Sequence, residues 1–252
     1  MTSDASSTPE STAASTNSVA VPAGYSGRKW LYRVAAFLLL AGAVYLGRVP
    51  LLTGLAWPLI VDQQPADGDW IVPFGGHAQY PQIARWCQDR PAARVLLLRL
   101  DLTRLEALGV EPRGEVVAQR ELGRQGISAD AITIVRGTGR AGCVWTNMRR
   151  LGGWLAEHPE TRIVLTTSRF GSRRLRTILD QTMPPEVAAR VQLWAIAHPW
   201  YDEANWWQRK EGVLDLFNGY IGLGYTWLCG DTSDHWQEFD PDAFDRTLEV
   251  AR

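Results

Sequence analysis

Residues 168–176, Ser-Arg-Phe-Gly-Ser-Arg-Arg-Leu-Arg, concentrate the side chains best suited to holding an anion. Arg169, Arg173 and Arg176 are spaced i, i+4, i+7 and would share one face of a helix, and Arg174 adds a further guanidinium. Guanidinium groups match phosphate and carboxylate oxygens, and the free N–H groups at a helix start favour the same ligands. The segment therefore predicts an anion-binding site, with a solvated basic face or pairing to nearby carboxylates as the alternative.

The other candidate residues follow predicted strands, because an open α/β sheet binds its ligands at the carboxyl ends of the strands. Gly75 and Gly76 would permit a tight turn and a close backbone approach to a ligand, and a plain structural turn is an equally good explanation. The predicted ligand-binding residues are Gly75, Gly76, His77, Thr138, Ser168, Arg169, Arg173, Arg174, Asp202, Trp206 and Glu211.

Aromatic and imidazole side chains stand beside the same predicted crevice. An exposed Trp206 or Trp207 would stack on a base, a sugar or a lipid headgroup, and packing in the core or an interface is the alternative. Histidine titrates near neutrality, so His77 and His198 are candidates for proton transfer. No nucleophile stands at a matching spacing, and surface histidines that only form hydrogen bonds explain them equally well.

The motifs of several enzyme classes are missing. Gly75-Gly76 is not part of a G-x-G-x-x-G fingerprint and no acidic ribose ligand is placed for it, so a nicotinamide cofactor is disfavoured. No G-x-S-x-G, H-E-x-x-H or Walker sequence occurs, so catalytic residues and cofactor stay unassigned. Cys87, Cys143 and Cys229 are far apart and form no ligand cluster, which argues against a metal site and predicts small buried side chains.

Short apolar runs alternate with longer helical patterns from Asp69 onward, which is typical of βαβ units and a parallel sheet. Residues 99–112 lack a clear pattern. Strands are predicted at 69–74, 94–98, 131–135, 162–167 and 191–197, and helices at 80–88, 113–124, 144–158, after Ser168 as N-cap, and at 205–228. The predicted fold class is α/β: a Rossmann-like doubly wound, mostly parallel five-stranded sheet behind one N-terminal membrane helix.

An uncharged apolar run at 34–47 precedes the sheet and predicts a membrane anchor. The run is shorter than the about 20 residues of a spanning helix, but Trp30 and Arg33 extend it, because Trp suits the interface and Arg can snorkel. A cleaved signal peptide and a buried core helix are the alternatives. The predicted organisation is a disordered tail at 1–27, an anchor and juxtamembrane segment at 28–61, the α/β domain at 62–229 and an acidic tail at 230–252.

The distribution of charge predicts the orientation and argues against one class of partner. Arg28, Lys29 and Arg33 precede the apolar run and acidic residues follow it, so the N-terminus is expected in the cytoplasm and the main domain outside the cell membrane. A net charge of -1 argues against a uniformly basic nucleic-acid binder. Only two of the 26 basic residues are lysine, and nine arginines stand between 136 and 176, where the fold would place a ligand.

Three segments share their order and spacing with a known family. They are an apolar entry segment ending in Gly-Gly (51–76), a strand ending in Thr-Ser before an arginine-bearing helix (162–179), and a Tyr-Asp…Trp-Trp stretch before a Glu-bearing helix (198–221). Over roughly residues 50–228 the chain resembles the SanA/ElyC/YdcF family of bacterial envelope proteins. By position, the family's motif residues match Gly75, Gly76, Ser168, Arg174, Asp202 and Glu211.

The resemblance implies a Rossmann-like domain behind one membrane segment, with roles in the envelope barrier and in peptidoglycan or lipid-carrier metabolism. One member type of the family binds S-adenosylmethionine. Gly171 stands where the family carries His, and Val144 and Asn147 stand where Thr-x-x-Glu is expected. The loop after the second strand also lacks the usual Ser-Gly-Gly. The chain is therefore expected to be a divergent member with an altered ligand or lost activity.

Three functions remain open at this point. The first is a membrane-anchored domain that binds an anionic, phosphate-bearing small molecule or lipid-linked phosphate. The second is a non-catalytic envelope assembly protein that meets a partner through its Trp-rich surface. The third is a cytoplasm-facing binder of a nucleotide or S-adenosylmethionine.

Overall fold

The computed structural model of the chain describes residues 26–63, 65, 69–74, 76–99, 102–137 and 143–231. Its centre is a five-stranded sheet in the order β3-β2-β1-β4-β5, in which all neighbouring strands are parallel. The predicted Rossmann-like α/β fold is confirmed. The strands are β1 Trp70–Pro73, β2 Arg94–Arg99, β3 Ile132–Arg136, β4 Ile163–Ser168 and β5 Val191–Ile196.

Helices precede, connect and follow these strands at nearly the predicted places. Short 3-10 turns lie at Trp57–Leu59, His77–Gln79, Ala129–Ala131, Arg169–Gly171 and Trp206–Gln208. The helices of the described residues are α1 Ser26–Ala56, α2 Tyr80–Gln88, α3 Arg104–Ala107, α4 Gly114–Arg124, α5 Val144–Glu157, α6 Ser172–Thr182, α7 Pro185–Ala188 and α8 Lys210–Cys229.

Two hydrophobic layers cover the sheet, because successive strand residues point to opposite faces. Leu165 of β4 packs in the cluster that contains α5 and α6, together with Met148 and Ile178. Its neighbour Val164 packs in the opposite cluster, which contains α2 and α4 and is centred on Ile83. With both faces covered, the strands are nearly continuous apolar runs, as a parallel sheet requires.

The strand order creates a topological switch point between β1 and β4. The chain goes from β1 to β2 and β3 on one side, then crosses to β4 and β5 on the other side of β1. Connections that leave neighbouring strands in opposite directions open a crevice at the carboxyl ends of those strands. The turn at 168–171, directly after β4, therefore lies where an α/β sheet binds ligands.

A third hydrophobic cluster joins α8 to the rest of the domain. The buried positions of α8 follow i, i+4, i+7, i+11, i+14 and form one stripe: Gly212, Leu216, Gly219, Leu223 and Thr226. This stripe packs against Leu59, Phe170 and Trp206. Gly219 permits a close approach, because a Cβ there would lie 2.7 Å from the carbonyl oxygen of Phe170.

The segment after α1 runs beside β5. The N–H of Gln63 donates to the carbonyl of Leu193 at 2.8 Å, and the N–H of Leu193 donates to Oε1 of Gln63 at 3.0 Å. The N–H of Ala195 donates to Oδ1 of Asp62 at 3.1 Å. Residues 62 and 63 therefore satisfy backbone groups at the outer edge of the sheet.

The predicted start of the helix after β4 is wrong. α6 begins at Ser172, because a 3-10 turn at Arg169–Gly171 separates it from β4. Ser172 is buried, and its hydroxyl accepts the N–H of Val61 at 2.8 Å. Ser168 precedes the 3-10 turn and forms no side-chain cap. Arg169 therefore does not share a helix face with the arginines of α6.

The long closing helix also begins later than predicted, at Lys210 rather than Asn205. Oδ1 of Asn205 accepts the N–H of Asp202 at 2.8 Å, and Oδ1 of Asp202 accepts the N–H of Ala204 at 2.8 Å. Such side-chain bonds to the backbone favour turns over helix. The tryptophan pair consequently lies in a 3-10 turn before α8.

The patternless segment 99–112 is organised by Glu106 of the short helix α3. Its carboxylate pairs with Arg99 and accepts the N–H groups of Thr103 at 2.8 Å and Gly114 at 2.7 Å. The hydrogen bond from Arg99, together with these N–H groups, lowers the pKa of Glu106 to about 2. Arg99 also lies 3.0 Å from a carboxylate oxygen of Glu115.

The chain divides into two compact units, residues 1–47 and 48–252, and the second contains the sheet. Among the described residues one helical stretch, Lys29–Leu59, is long and apolar enough to cross a membrane, with a mean hydropathy of 1.9 in its most apolar window. None of that window is buried, which contradicts the core-helix alternative. A membrane anchor and a signal sequence share these properties. The predicted tails fall largely outside the described residues, apart from 26–27 and 230–231.

Candidate functional site

Two cavities border the turn at 168–171. The first, which we call the Arg174 cavity, has a volume of about 140 Å³ and opens beside the carboxyl end of β1. The second, the Tyr201 cavity, has a volume of about 40 Å³ and lies between the ends of β4 and β5. The Arg174 cavity is lined by Phe74, Val144, Thr167, Gly171, Arg174, Leu175 and Ile178.

Arg174 is the charged group of its cavity. The side chain is half-buried, its Nε donates to the hydroxyl of Thr226 at 3.1 Å, and its guanidinium packs against Gly222 of α8. No carboxylate of the described residues pairs with Arg174. Because a half-buried cation without a counter-charge is costly, an anion in the cavity would stabilise it.

The start of α6 borders the same site, and the N–H of its first residue, Ser172, donates to the carbonyl of Arg169. The N-cap residue of α6 is Gly171, which provides no side-chain acceptor for the first N–H groups of the helix. Thr167, whose side chain is buried, lines the same cavity. A guanidinium, a hydroxyl and the positive end of a helix are the groups that usually hold a phosphate.

Arg169 occupies a different environment. Its Nε lies 2.6 Å from Oε2 of Glu203 and its Nη2 donates to Oε1 of the same carboxylate at 2.7 Å. Its Nη1 contacts Asp62 at 3.3 Å and the carbonyl of Ala195 at 3.3 Å. For Arg169, the alternative of pairing with nearby carboxylates is the observed one.

The remaining arginines of the predicted cluster contact the backbone or a helix neighbour. The Nε of Arg173 donates to the carbonyl of Pro58 at 3.2 Å, and its Nη2 donates to that of Ile60 at 3.4 Å. Arg176 pairs with Asp180 one turn along α6, at 2.7 Å. Arg174 is therefore the member of the cluster best placed to bind an anion.

The Tyr201 cavity contains a connected set of polar side chains. The ring of His198 stacks on that of Tyr201 with centroids 4.4 Å apart, and the Tyr201 hydroxyl donates to Oδ2 of Asp215 at 3.2 Å. Burial, followed by the charge of Asp215, raises the pKa of Tyr201 to about 12. Burial also raises the pKa of Asp215, against the hydrogen bond from Tyr201 and the charge of His198. The cavity has room for a few water molecules.

Other predicted site residues lie around these cavities. Gly76 is exposed with a φ of +81°, a conformation that favours glycine and confirms the predicted turn. Ser168 and Asp202 line the Tyr201 cavity. Glu211 is exposed in the first turn of α8, where its charge contributes to the raised pKa of Tyr201.

Trp206 does not join the site. Trp206 is buried in the third hydrophobic cluster, and its Nε1 donates to the carbonyl of Leu52 at 3.1 Å, so the prediction of a stacking surface at Trp206 is wrong. The predicted residues Gly75 and Thr138 lie outside the described residues. The backbone of His77 begins the 3-10 turn before α2.

Sequence reasoning missed Asp215 and one glycine pattern. Asp215 had a visible signal, because it is a carboxylate within an otherwise apolar stretch of α8. The spacing G-x-G-x-x-G, absent at Gly75-Gly76, occurs at 137–142 between β3 and α5. Residues 138–142 lie outside the described residues. This pattern follows the edge strand of the sheet rather than a strand at the switch point.

Of the positions where the chain departs from the pattern of the family that it resembles, Gly171 and Val144 line the Arg174 cavity. A Cβ at Gly171 would lie 2.8 Å from the hydroxyl of Ser168, so a histidine there would require that hydroxyl to move. Oδ1 of Asn147 in α5 is buried without a hydrogen-bond partner among the described residues.

The described residues contain no group of three or more His, Cys, Asp or Glu that could hold a metal ion. All three cysteines are free: Cys87 and Cys143 are half-buried, and Cys229 is exposed, so the prediction of burial is wrong for Cys229.

No protein-family model matches this chain, and no curated protein or solved structure matches it either.

Proposed function

We propose that this chain is a membrane-anchored α/β domain that binds an anionic, phosphate-bearing ligand in the Arg174 cavity. The observation that carries the proposal is the half-buried guanidinium of Arg174, which lines a cavity at the switch point without a carboxylate partner among the described residues. A bound phosphate would supply the missing counter-charge and accept hydrogen bonds from both Nη atoms.

The small volume of the two cavities favours a phosphate group over a larger ligand. Pockets that enclose cofactors and drug-sized ligands usually measure roughly 300–1,000 Å³, whereas the two cavities here measure about 140 Å³ and about 40 Å³. This comparison favours a phosphate head whose remainder lies outside the cavity over an enclosed nucleotide or S-adenosylmethionine. The resemblance to envelope proteins of lipid-carrier metabolism agrees with such a ligand.

The anchoring helix and its flanking charges support an extracytoplasmic domain at the cell membrane. Basic residues precede the apolar stretch and Asp62 follows it, which is the charge pattern of a helix whose N-terminal side stays in the cytoplasm. A topology reporter fused after Arg252 is expected to be active outside the membrane. Activity in the cytoplasm would overturn the orientation.

The ligand proposal is tested by isothermal titration of the full chain in detergent micelles. The probes are inorganic pyrophosphate and a polyprenyl phosphate. Both are expected to bind, and Arg174→Gln is expected to weaken binding roughly 10- to 100-fold, the effect of losing charge-assisted hydrogen bonds. Arg176→Gln, on the exposed side of α6, is the matched control and should bind as the natural chain does. Absence of heat from both probes, or equal binding by the Arg174 variant, would overturn the proposal.

A further inference from the structure

The outer face of α8 is apolar and uncovered in the described structure. Opposite the buried stripe, Ile221 is 68% exposed, Trp227 66% and Leu228 88%, and Phe217 and Leu214 are exposed as well. The charged residues of α8 all lie in its first six positions, so the stretch from 216 to 229 carries no charge.

A helix with this composition does not fit a water-facing surface. Its inner stripe already packs on the core of the domain, and its outer face exposes large side chains next to one another along about four turns. Surface helices usually place polar and charged residues on the side away from the core. Contiguous apolar surface of this kind marks an interaction with another protein or with a membrane.

The same apolar surface continues onto the end of α1. Leu51, Leu55 and Trp57 are exposed, and the hydroxyl of Tyr220 in α8 donates to the carbonyl of Leu55. Leu59 packs in the same cluster as the inner stripe of α8. Both segments belong to the compact unit of residues 48–252. The outer face of α8 and residues 51–57 therefore form one surface.

Four aromatic side chains with polar atoms border this surface. Trp57, Tyr220, Tyr225 and Trp227 are all exposed. Tryptophan and tyrosine are enriched at the boundary between lipid headgroups and acyl chains, because each has an apolar ring and a polar tip. This composition matches a lipid surface more closely than the polar rim of a protein interface.

We infer that α8 lies in the interfacial layer of the bilayer, with Leu214, Phe217, Ile221 and Leu228 turned toward the acyl chains. The inference rests on the proposed anchoring by α1. A span of about 20 residues that begins at Trp30 ends close to Val49, and Leu52 and Leu55, which contact the domain, follow directly. The chain thus leaves the hydrocarbon at the residues that hold α8, and α8 is bound at the level of the headgroups.

This placement also specifies the source of the ligand. Arg174 contacts Gly222 and Thr226 of α8. With α8 in the interface, the Arg174 cavity lies behind the helix that contacts the headgroup layer, because Thr226 belongs to the inner stripe of α8. A site built against this helix favours the phosphate of a membrane lipid as its natural ligand, although a soluble phosphate can serve as a probe.

The inference is tested by nitroxide labelling of the full chain in nanodiscs of phosphatidylcholine and phosphatidylglycerol. The three cysteines are first replaced by serine, and single cysteines are then introduced as Ile221→Cys, Leu39→Cys and Val116→Cys. Leu39 lies in the apolar stretch of α1, and Val116 is an exposed apolar residue on α4, which makes it the matched control. Frequent collisions of the label with oxygen indicate that it lies in lipid, and frequent collisions with a water-soluble nickel chelate indicate that it lies in water.

The label at 221 is expected to show a several-fold higher ratio of oxygen to nickel collisions than the label at 116, and to resemble the label at 39. A label at 221 that matches 116 would overturn the inference. So would a label at 221 shielded from both reagents, because a second copy of the chain or another part of it would then cover α8. A water-exposed label at 39 would instead overturn the anchoring on which the proposed function depends.

The lipid source is tested in the same nanodiscs. With a polyprenyl phosphate incorporated, its binding is expected to persist in a large excess of inorganic phosphate. Full displacement by inorganic phosphate would overturn the lipid source while leaving the phosphate site itself intact.

Discussion

The two sides of the turn at 168–171 contain arginines of similar burial and different surroundings. On one side, Arg169 forms two parallel contacts with Glu203 and a third contact with Asp62. On the other side, Arg174 donates to one hydroxyl and faces a cavity. Arg169 has its counter-charges within the protein, whereas Arg174 has none among the described residues. One arginine-rich segment thus provides a structural cross-link, Arg169, and a candidate binding group, Arg174. The presence or absence of neighbouring carboxylates distinguishes the two roles.

The largest expected effect is that of Arg169→Gln. The substitution leaves the carboxylates of Glu203 and Asp62 without their shared cation, and the free energy of unfolding should fall by about 2–3 kcal/mol, less than for a fully buried pair because the site is partly solvated. Denaturant unfolding of the full chain in detergent measures the change. Arg176→Gln, which breaks only an exposed pair within α6, should cost about 0.5 kcal/mol or less. Equal free energies of unfolding for the Arg169 and Arg176 variants would show that Arg169 is not a structural cross-link.

The pair between Arg99 and Glu106 tests at a second site whether an arginine with a carboxylate partner stabilises the fold. Glu106→Gln should lower the free energy of unfolding at neutral pH by about 1–2 kcal/mol, because the carboxylate holds Arg99 and two backbone N–H groups. The pKa of Glu106 is lowered to about 2 in the folded chain, from an ordinary value of 4.5. Its contribution is therefore complete above about pH 4.5 and is lost as the pH falls toward 2.

Unfolding followed from pH 6 down to pH 2 measures this contribution. Between pH 4.5 and pH 2 the free energy of unfolding should fall more steeply for the natural chain than for the Glu106→Gln variant. The difference in free energy between the two proteins should therefore become smaller toward pH 2. Parallel curves would show that the carboxylate of Glu106 does not stabilise this segment through its charge.

Arg174→Gln is expected to lower the free energy of unfolding less than the Arg169 and Glu106 substitutions, by about 1 kcal/mol or less, because one hydrogen bond to Thr226 is lost. The same variant should show the largest loss of phosphate binding. If it unfolds as easily as the Arg169 variant, Arg174 is also a structural cross-link, and the contrast between the two sides of the turn disappears.

The elements of the sheet were predictable because their signals are local. The run from Ile163 to Thr167 is continuously apolar up to its threonines, and the stripe of Leu175, Ile178 and Leu179 has helical spacing. Burial confirms both. The 3-10 turn at Arg169–Gly171 was not predictable in this way, because the contacts of Arg169 that accompany it come from distant parts of the chain.

The site was only partly predictable for the same reason. Sequence reasoning found Arg174 and its neighbours at the end of β4, but Asp62 and Glu203, which distinguish Arg169 from Arg174, are 107 and 34 residues away from Arg169. The sequence did not show whether the tryptophan pair is buried or exposed. Trp206 is buried, and its Nε1 donates to the carbonyl of Leu52 in α1, a contact that no local pattern indicates. Gly75 and Thr138 remain predictions.

The contacts of residues 62 and 63 with β5 have a consequence for any attempt to prepare the domain without α1. An uncovered edge strand presents free N–H and C=O groups and invites pairing with other chains. Gln63 and Asp62 accept the N–H groups of Leu193 and Ala195, so the segment that follows α1 covers this edge. A soluble fragment that begins after residue 63 would lose this cover, and aggregation through β5 is the expected outcome.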